Sequence, residues 1–291
     1  MPEVTVTAGC SSQGGSALVV QGLEKVFGGG KAFAPSGSKA AGSRGGAKGG
    51  FRGAAVIKAL NGVDMTVDTG EFVAVMGPSG SGKSTLLNCI ATIEKPTAGK
   101  VLVGGVDVAK LRGHALSTFR RDSLGFIFQD FNLIDTLTGY ENIALALSIK
   151  GVASREIPAK VQAIAAELGV SDVLDKFPSQ MSGGQRQRTA AARAVVTDPK
   201  LVLADEPTGA LDSRNARVMM ETLSTMNKRM GTTIVMVTHD SFAASFADRV
   251  IFVSDGKVFN QVLRGEGGRG ELFDRIMKVQ AFLGGEARHD A

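Results

Sequence analysis

The sequence predicts an α/β fold in which helices cover a mostly parallel sheet. Short apolar runs of four or five residues alternate with helical stretches, as buried parallel strands do in α/β domains. The chain also has 291 residues, 43% of them hydrophobic, which is enough to bury a substantial core in one large domain or two small ones. The clearest apolar runs are residues 72–76, 124–128, 201–204 and 233–237.

Other elements follow from patterns along the chain. The first ordered stretch is predicted over residues 17–27, with a strand at residues 18–20. A second strand is predicted around residues 63–67, where apolar and polar residues alternate. Residues 83–92 are predicted as a helix. Residues 159–168 are also predicted as a helix, because apolar residues there recur at the spacing of one helical face.

The end of the chain is predicted to form a hairpin and a helix. Asp255 and Gly256 stand between two apolar strands, and Asp-Gly is a preferred hairpin turn. An amphipathic helix is predicted over residues 271–283. Its apolar face is expected to hold Leu272, Phe273, Ile276, Met277 and Phe282.

Residues 28–54 differ from the rest of the chain in composition. Ten of these 27 residues are glycine, and no helical or strand periodicity is present, so we predict a flexible insertion. An alternative function is a basic tether that contacts anionic lipid headgroups. The segment contains no acid, and its five cations equal the net charge of +5 of the whole chain. The excess of positive charge therefore lies in this one segment, which argues against a nucleic-acid-binding surface on the folded domain.

The sequence also constrains the compartment. No run approaches 18 consecutive apolar residues, so no membrane-spanning helix is expected. Glu3 stands where a secretory leader would be basic, and no apolar run precedes Cys10. Cys10 and Cys89 are too few for a disulfide framework or a cysteine metal site, which favours a reducing, cytosolic location.

A glycine-rich segment lies between the predicted strand at 72–76 and the predicted helix at 83–92. It fits G-x-x-x-x-G-K-[ST], in which backbone N–H groups and a helix N-terminus cradle phosphates. We expect Lys83 to reach the β- and γ-phosphates of a nucleotide and Ser84 to bind Mg²⁺. The predicted nucleotide-binding residues are Gly77, Pro78, Ser79, Gly80, Ser81, Gly82, Lys83, Ser84 and Thr85.

Two carboxylates follow the predicted strand at 201–204. Taken alone, two acids at a strand end are more often a solvated turn. Beside a phosphate-binding loop, we expect Asp205 to hold Mg²⁺ and Glu206 to polarise an attacking water. A general base of this kind contributes roughly 10²–10⁴ in rate.

Residues 181–188 read Met-Ser-Gly-Gly-Gln-Arg-Gln-Arg at the start of a helix predicted to reach residue 196. A hydroxyl and backbone N–H groups at a helix start form a second anion site. The segment resembles the LSGGQ signature of the ATP-binding-cassette (ABC) superfamily, with Met181 in place of leucine. The residues that the resemblance assigns to contact ATP in a partner chain are Ser182, Gly183, Gly184 and Gln185.

This resemblance implies an ABC-type P-loop NTPase that works as a head-to-tail dimer. Each ATP would lie between the phosphate-binding loop of one copy and the signature of the other. The implied fold includes an antiparallel β subdomain and a helical subdomain at about residues 130–190. We predict a flexible N-terminus over 1–16, a cassette over 17–257, and a strand-and-helix extension over 258–291.

Four further residues match family motifs. Gln129 resembles the Q-loop glutamine, which contacts Mg²⁺ and the attacking water. Asp212 resembles the D-loop aspartate at the dimer seam, and His239 resembles the switch histidine that contacts the γ-phosphate. Phe27 resembles the aromatic residue that stacks on adenine. Because the insertion starts directly after Phe27, Phe33 and Phe51 are alternatives for that contact.

The subfamily is indicated by softer similarities. Residues 205–213 (DEPTGALDS) resemble the group that contains macrolide exporters and lipoprotein-release ATPases. Within it, residues 128–138 (FQDFNLIDTLT) and the FLGG sequence near the end look most like the bacitracin- and lantibiotic-resistance cassettes, the BceA-like subfamily. That resemblance implies an FtsX-like permease, in some complexes a histidine kinase, and the cytoplasmic face of the bacterial inner membrane.

Three other functions remain open. The first is a motor for macrolide export or lipoprotein release, against which the FQDFNLIDTLT stretch and the FLGG ending argue. The second is a regulatory module that signals through ATP-driven dimerisation, although Glu206, Gln129 and His239 favour turnover. The third is a nucleic-acid-binding ABC protein, which would need basic residues on a folded face.

Overall fold

The computed structural model of the chain describes residues 15–28 and 56–286. Nearly all of the predicted insertion at 28–54 lies outside the described residues, as do Phe33, Phe51 and Cys10. The remaining residues form two sheets whose strands agree with the predicted α/β class.

The smaller sheet is antiparallel and has the strand order β2-β1-β4-β5. Its strands alternate buried apolar residues with exposed polar ones, because only one face of this sheet meets the core. The strands are β1 (Ser16–Phe27), β2 (Ile57–Asp68), β4 (Ala98–Val103) and β5 (Val106–Asp107).

The larger sheet has six strands in the order β10-β9-β3-β8-β7-β6. Its five strands from β9 to β6 are parallel neighbours, and β10 pairs antiparallel with β9 across the hairpin at Asp255 and Gly256. The mostly parallel core sheet is therefore confirmed. Its strands are β3 (Phe72–Met76), β6 (Leu124–Ile127), β7 (Leu201–Asp205), β8 (Ile234–Val237), β9 (Arg249–Ser254) and β10 (Lys257–Leu263).

Eight α-helices in the described part of the chain cover this sheet. Helices α3, α4 and α5 fall in the stretch where the resemblance placed a helical subdomain. The helices are α1 (Lys83–Ile90), α2 (Gly113–Ser123), α3 (Gly139–Lys150), α4 (Ile157–Glu167), α5 (Gly183–Val195), α6 (Ser213–Met230), α7 (Ser241–Ala244) and α8 (Gly268–Glu286).

The large sheet separates two apolar cores, as the alternation along β3 shows. Phe72, Ala74 and Met76 point into a core shared with the helices from α3 to α8. Val73 and Val75 point into the opposite core, which is shared with α1, α2 and the small sheet. Because both faces are covered, β3 is buried along its whole length and reads as a continuous apolar run.

The C-terminal helix differs from its prediction. Leu272 and Ile276 are fully buried, but Met277 is 46% and Phe282 is 56% exposed, so these two residues do not belong to the buried face. Phe282 instead stacks on Phe259 of β10, with ring centroids 6.0 Å apart. In the described residues, no helix, α8 included, is long and apolar enough to cross a membrane.

The insertion connects two paired strand ends. Phe27 of β1 pairs with Ile57 of β2 in the antiparallel ladder. Deleting residues 30–53 leaves five connecting residues, which is within the usual length of a hairpin loop.

We expect this deletion to leave the fold intact and to raise Tm by a few degrees at most, since shortening the loop gains only about 1.5 kcal/mol. Calorimetry of the full chain, the deletion, and a variant with a Gly/Ser linker of equal length tests this. A large fall in Tm for both variants would mean that the segment packs on the fold.

Candidate active site

The predicted site residues gather at one edge of the large sheet. Parallel strands present their carboxyl ends along a common edge, and ligands bind there in open α/β sheets. The loop at 77–84 follows β3, and His239 follows β8. Asp205 ends β7 and Glu206 follows it directly, and Gln129 is the second residue after β6. Because β3, β8, β7 and β6 are successive neighbours, these groups share one edge.

Two glycines allow the loop at 77–84 to wrap closely against neighbouring backbone. A Cβ at Gly77 would lie 2.0 Å from the carbonyl oxygen of Val253, and a Cβ at Gly82 would lie 2.4 Å from that of Ala59. Gly82 also has a φ of +101°, which L side chains rarely adopt. The loop thus requires glycine at both positions for its path between β2 and β9.

The loop holds one buried cation and one buried hydroxyl without a partner. The Lys83 ammonium donates hydrogen bonds to the carbonyl oxygens of Gly77 (2.9 Å) and Pro78 (2.8 Å). Burial lowers the pKa of Lys83, and the nearby Glu206 and Asp205 oppose that shift. In the described part of the chain, the Ser81 hydroxyl is buried without a hydrogen-bond partner. With α1 starting at Lys83, this arrangement fits a phosphate group.

Asp205 and Glu206 form an acidic pair beside this loop. Burial raises the pKa of Asp205, the neighbouring Glu206 raises it further, and Lys83 opposes both effects. A carboxylate that is desolvated and repelled by a second carboxylate fits a site for a divalent cation. The other predicted magnesium ligands are the Ser84 hydroxyl, at the start of α1, and the Gln129 amide.

Glu206 has a strained backbone. Its φ is +47°, a left-handed conformation that costs a non-glycine residue of order 1–3 kcal/mol. Two hydrogen bonds hold it there: its N–H donates to the Val237 carbonyl (2.9 Å), and its carbonyl accepts from the N–H of Gly209 (2.9 Å). Its carboxylate lies 2.8 Å from Nδ1 of His239, whose side chain is 73% exposed. The structure thus pairs two residues that lie 33 positions apart in the sequence.

Gln129 begins a strained loop that continues through residue 132. Its side chain is exposed and packs against Gly209, where a Cβ would lie 3.0 Å from Gln129 Nε2. Phe131 and Asn132 both have positive φ, at +62° and +49°. Gln129 is therefore close to the turn that follows Glu206.

Helix α5 holds this strained loop with three side chains that sequence reasoning missed. Arg193 donates to the carbonyl oxygens of Asn132 (2.6 Å) and Phe131 (3.3 Å), and Arg186 lies 4.9 Å from the centre of the Phe131 ring. The buried Gln187 donates to the carbonyl oxygens of residues 128 and 207. Burial lowers the pKa of Arg193. The Gln-Arg-Gln-Arg run showed that polar residues begin α5, but nothing in it indicated these distant partners.

The signature segment lies against the D-loop residues. Ser182 caps α5 by accepting a hydrogen bond from the N–H of Gln185 (3.2 Å). Asp212 caps α6 by accepting from the N–H of Asn215 (2.9 Å), and this bond is the main reason that the pKa of Asp212 is lowered. A Cβ at Gly184 would lie 2.3 Å from Asn215 Oδ1, so the two helix starts approach closely and a larger residue would displace the Asn215 side chain.

The signature and the phosphate-binding loop remain separate within one chain. No hydrogen bond in the described residues joins segment 182–185 to loop 77–84. Phe27 ends β1 with 38% of its surface exposed, and Lys25 Nζ lies 4.7 Å from the centre of its ring. Phe27 therefore offers an accessible ring, and its contact with adenine stays a prediction.

The acidic pair gives a prediction about stability. Asp205→Asn removes a desolvated carboxylate that repels Glu206, so without Mg²⁺ we expect Tm to rise by about 2–4 °C, which is the shift for roughly 1 kcal/mol. ATP turnover with Mg²⁺ should be lost. Thermal melts with and without Mg²⁺ test this, and Asp172→Asn, at an exposed site, is the matched control.

The sign of the pH effect follows from the raised pKa. Because the folded-state pKa of Asp205 lies above its unfolded value, the folded chain binds this proton more readily. The native protein thus gains stability as pH falls from the folded pKa towards the unfolded value near 3.8. The advantage of Asp205→Asn should shrink over that window. An advantage that did not change with pH would contradict this account.

Comparison with known families matches residues 60–209 to the ABC transporter family. The bacitracin export ATP-binding protein BceA of Halalkalibacterium halodurans is 47% identical over 226 residues, which are 78% of this chain and 89% of BceA. The macrolide export ATP-binding/permease protein MacB of Vibrio parahaemolyticus is 41% identical over 210 residues, which are 72% of this chain and 32% of MacB.

A solved structure gives the same result. The dimeric post-hydrolysis state of the ATP-binding cassette MJ0796 of Methanocaldococcus jannaschii, bound to ADP and Pi, superposes with a TM-score of 0.70. It is 36% identical in sequence and covers 85% of this chain and 99% of that one. The family match spans the loop at 77–85, the signature and the acidic pair, and ends before Asp212 and His239.

Proposed function

Because the chain belongs to the ABC transporter family, in which it is an ATP-binding subunit with ATPase activity, we propose that it drives an antimicrobial-peptide resistance transporter. The observation that carries the proposal is its similarity to a bacitracin export ATP-binding protein along 89% of that protein's length. Bacitracin- or lantibiotic-type peptides are the proposed class of antibiotic.

Glu206 is the proposed general base for hydrolysis. It takes a proton from a water molecule as the water oxygen attacks the γ-phosphorus. The bond from phosphorus to the β–γ bridging oxygen then breaks, which releases ADP and phosphate. His239 is proposed to contact the γ-phosphate, a role supported by the 2.8 Å pair with Glu206. Gln129 is proposed to orient the water, which its place beside the turn after Glu206 supports.

Lys83 and the loop at 77–85 are proposed to hold the triphosphate. Lys83 would exchange the two carbonyl oxygens of its own loop for β- and γ-phosphate oxygens, and its burial strengthens that interaction. Ser84, Gln129 and Asp205 would hold Mg²⁺, which, when bound, neutralises charge on the same phosphates. Phe27 is proposed to stack on adenine, an interaction worth roughly 1–3 kcal/mol.

The complete site is proposed to need two copies of the chain. Ser182, Gly183, Gly184 and Gln185 would contact the ATP held by the partner copy, with Asp212 at the seam. Two observations support this: the signature and the D-loop form one joint surface through Gly184 and Asn215, and the similar cassette MJ0796 was solved as a dimer.

The proposed membrane partner is an FtsX-like permease, and the proposed location is the cytoplasmic face of a bacterial inner membrane. A histidine kinase, reached through the permease, is proposed as a further member of the complex. The second candidate function is a macrolide-export or lipoprotein-release motor, which the 41% identity to MacB favours. MacB is an ATP-binding/permease protein, and the match covers 32% of its length.

Affinity capture distinguishes the two functions. Tagged Glu206→Gln is bound to ATP in gently solubilised membranes, and mass spectrometry identifies what is retained. A permease of about ten spans with a large extracytoplasmic domain supports the peptide-resistance proposal, and a four-span permease supports the alternative. Lys83→Ala, expected to lose ATP, is the control for ATP-dependent capture.

A further inference from the structure

The C-terminal helix α8 contacts the bend that carries His239. Gln280 Nε2 donates to the His239 carbonyl oxygen at 3.4 Å, and Gln280 Oε1 accepts a hydrogen bond from the Ser241 hydroxyl. One amide therefore links the middle residue of the three-residue bend between β8 and α7 to the first residue of α7. Gln280 lies 41 residues from His239, beyond the family match at 60–209.

The bend needs support because His239, at its middle, has a side chain with few contacts. The His239 side chain is 73% exposed, and in the described residues its side-chain partner is Glu206. The flanking residues are fixed: the N–H of buried Thr238 donates to the Val75 carbonyl (3.1 Å), and Asp240 caps α7. Of the described side chains, only that of Gln280 donates to the His239 carbonyl.

Gln280 is well placed for this role because α8 is anchored on both sides of it. Leu272 and Ile276 are fully buried, and Phe282 stacks on Phe259 of β10. Arg275 also donates to the carbonyl oxygen of Leu263 at 3.0 Å. A side chain on a helix docked in this way loses little further entropy when it holds a loop.

We propose that Gln280 is a positioning residue for ATP hydrolysis, holding the bend so that His239 meets Glu206 and the γ-phosphate. The inference rests on the proposed role of His239. It assigns the C-terminal extension a part in turnover, in addition to its packing on the sheet. Removing a hydrogen bond of this kind should lower kcat by about three- to ten-fold while KM for ATP stays unchanged.

The test uses the full chain and an isosteric variant. Gln280→Glu keeps an acceptor for the Ser241 hydroxyl but replaces the donor to the His239 carbonyl with an oxygen. Lys278→Ala is the matched control, since it changes the net charge by the same amount on an exposed position of the same helix. We expect Gln280→Glu to lower kcat with KM and Tm unchanged, and Lys278→Ala to match wild type. A wild-type kcat for Gln280→Glu would overturn the proposal.

A double variant at Gln280 and His239 separates this inference from the proposed role of His239. If Gln280 acts through His239, adding Gln280→Glu to His239→Ala should cause no further loss of kcat. A full additional loss would overturn the inference and leave the role of His239 standing. A wild-type kcat for His239→Ala would instead show that the proposed role of His239 is wrong, whatever Gln280 does.

Discussion

Glu206→Gln is expected to lower kcat by roughly 10²–10⁴ while ATP binding is retained. The amide has the same shape as the carboxylate and can still bond to His239, but it cannot accept a proton from water. Because hydrolysis stops after binding, ATP should hold the chain as a dimer. Single-turnover hydrolysis and size-exclusion chromatography with ATP and Mg²⁺ measure the two effects.

The control for this variant is the same chemical change at a structural carboxylate. Glu141 accepts hydrogen bonds from the backbone N–H and hydroxyl of Thr138 at the start of α3, and Glu141→Gln can still accept them. We expect its kcat to equal that of the wild type. Near-wild-type turnover in Glu206→Gln would show that Glu206 is not the general base. Asp205, or a water molecule bound by His239, would then be the candidate.

Gly82→Ala is expected to cause a large loss of stability. The new Cβ would lie 2.4 Å from the Ala59 carbonyl oxygen, at a φ of +101° that alanine avoids. We expect a loss of at least about 3 kcal/mol, hence a fall in Tm of roughly 6–12 °C, together with loss of ATP binding. Calorimetry and nucleotide titration measure both.

Gly80→Ala separates backbone strain from the steric clash. Gly80 has a similarly positive φ of +80°, but nothing lies within 4 Å of the position of its Cβ. The alanine there should cost only about 1–2 kcal/mol of backbone strain. Equal Tm values for the two variants would show that contact with Ala59 contributes nothing.

The large sheet was predictable because its strands are buried on both faces. The predicted run at 72–76 has the same bounds as β3, and the predicted strands at 124–128 and 233–237 differ from β6 and β8 by one residue each. By contrast, the apolar face of α8 was predicted wrongly at two residues. The apolar character of Met277 and Phe282 does not reveal that both remain exposed, or that Phe282 contacts β10 and not the core.

The candidate site also has a part that the sequence predicts and a part that it does not. Residues of the loop at 77–85 and the signature are adjacent in the sequence, so a motif identifies them. The side chains of Gln187, Arg193 and Gln280 act through backbone carbonyls far along the chain, and carbonyls have no residue identity for a pattern to record. These contacts depend on how α5 and α8 pack, which single-sequence reasoning does not supply.

The left-handed backbone of Glu206 has a consequence for directed evolution. Glycine is the one residue that adopts this conformation without strain, so Glu206→Gly should be more heat-resistant than any other replacement there. A library screened for thermal tolerance alone would therefore enrich folded chains that bind nucleotide but do not turn it over. A selection for a more thermostable form of this cassette should therefore measure thermal stability and ATP hydrolysis in the same round.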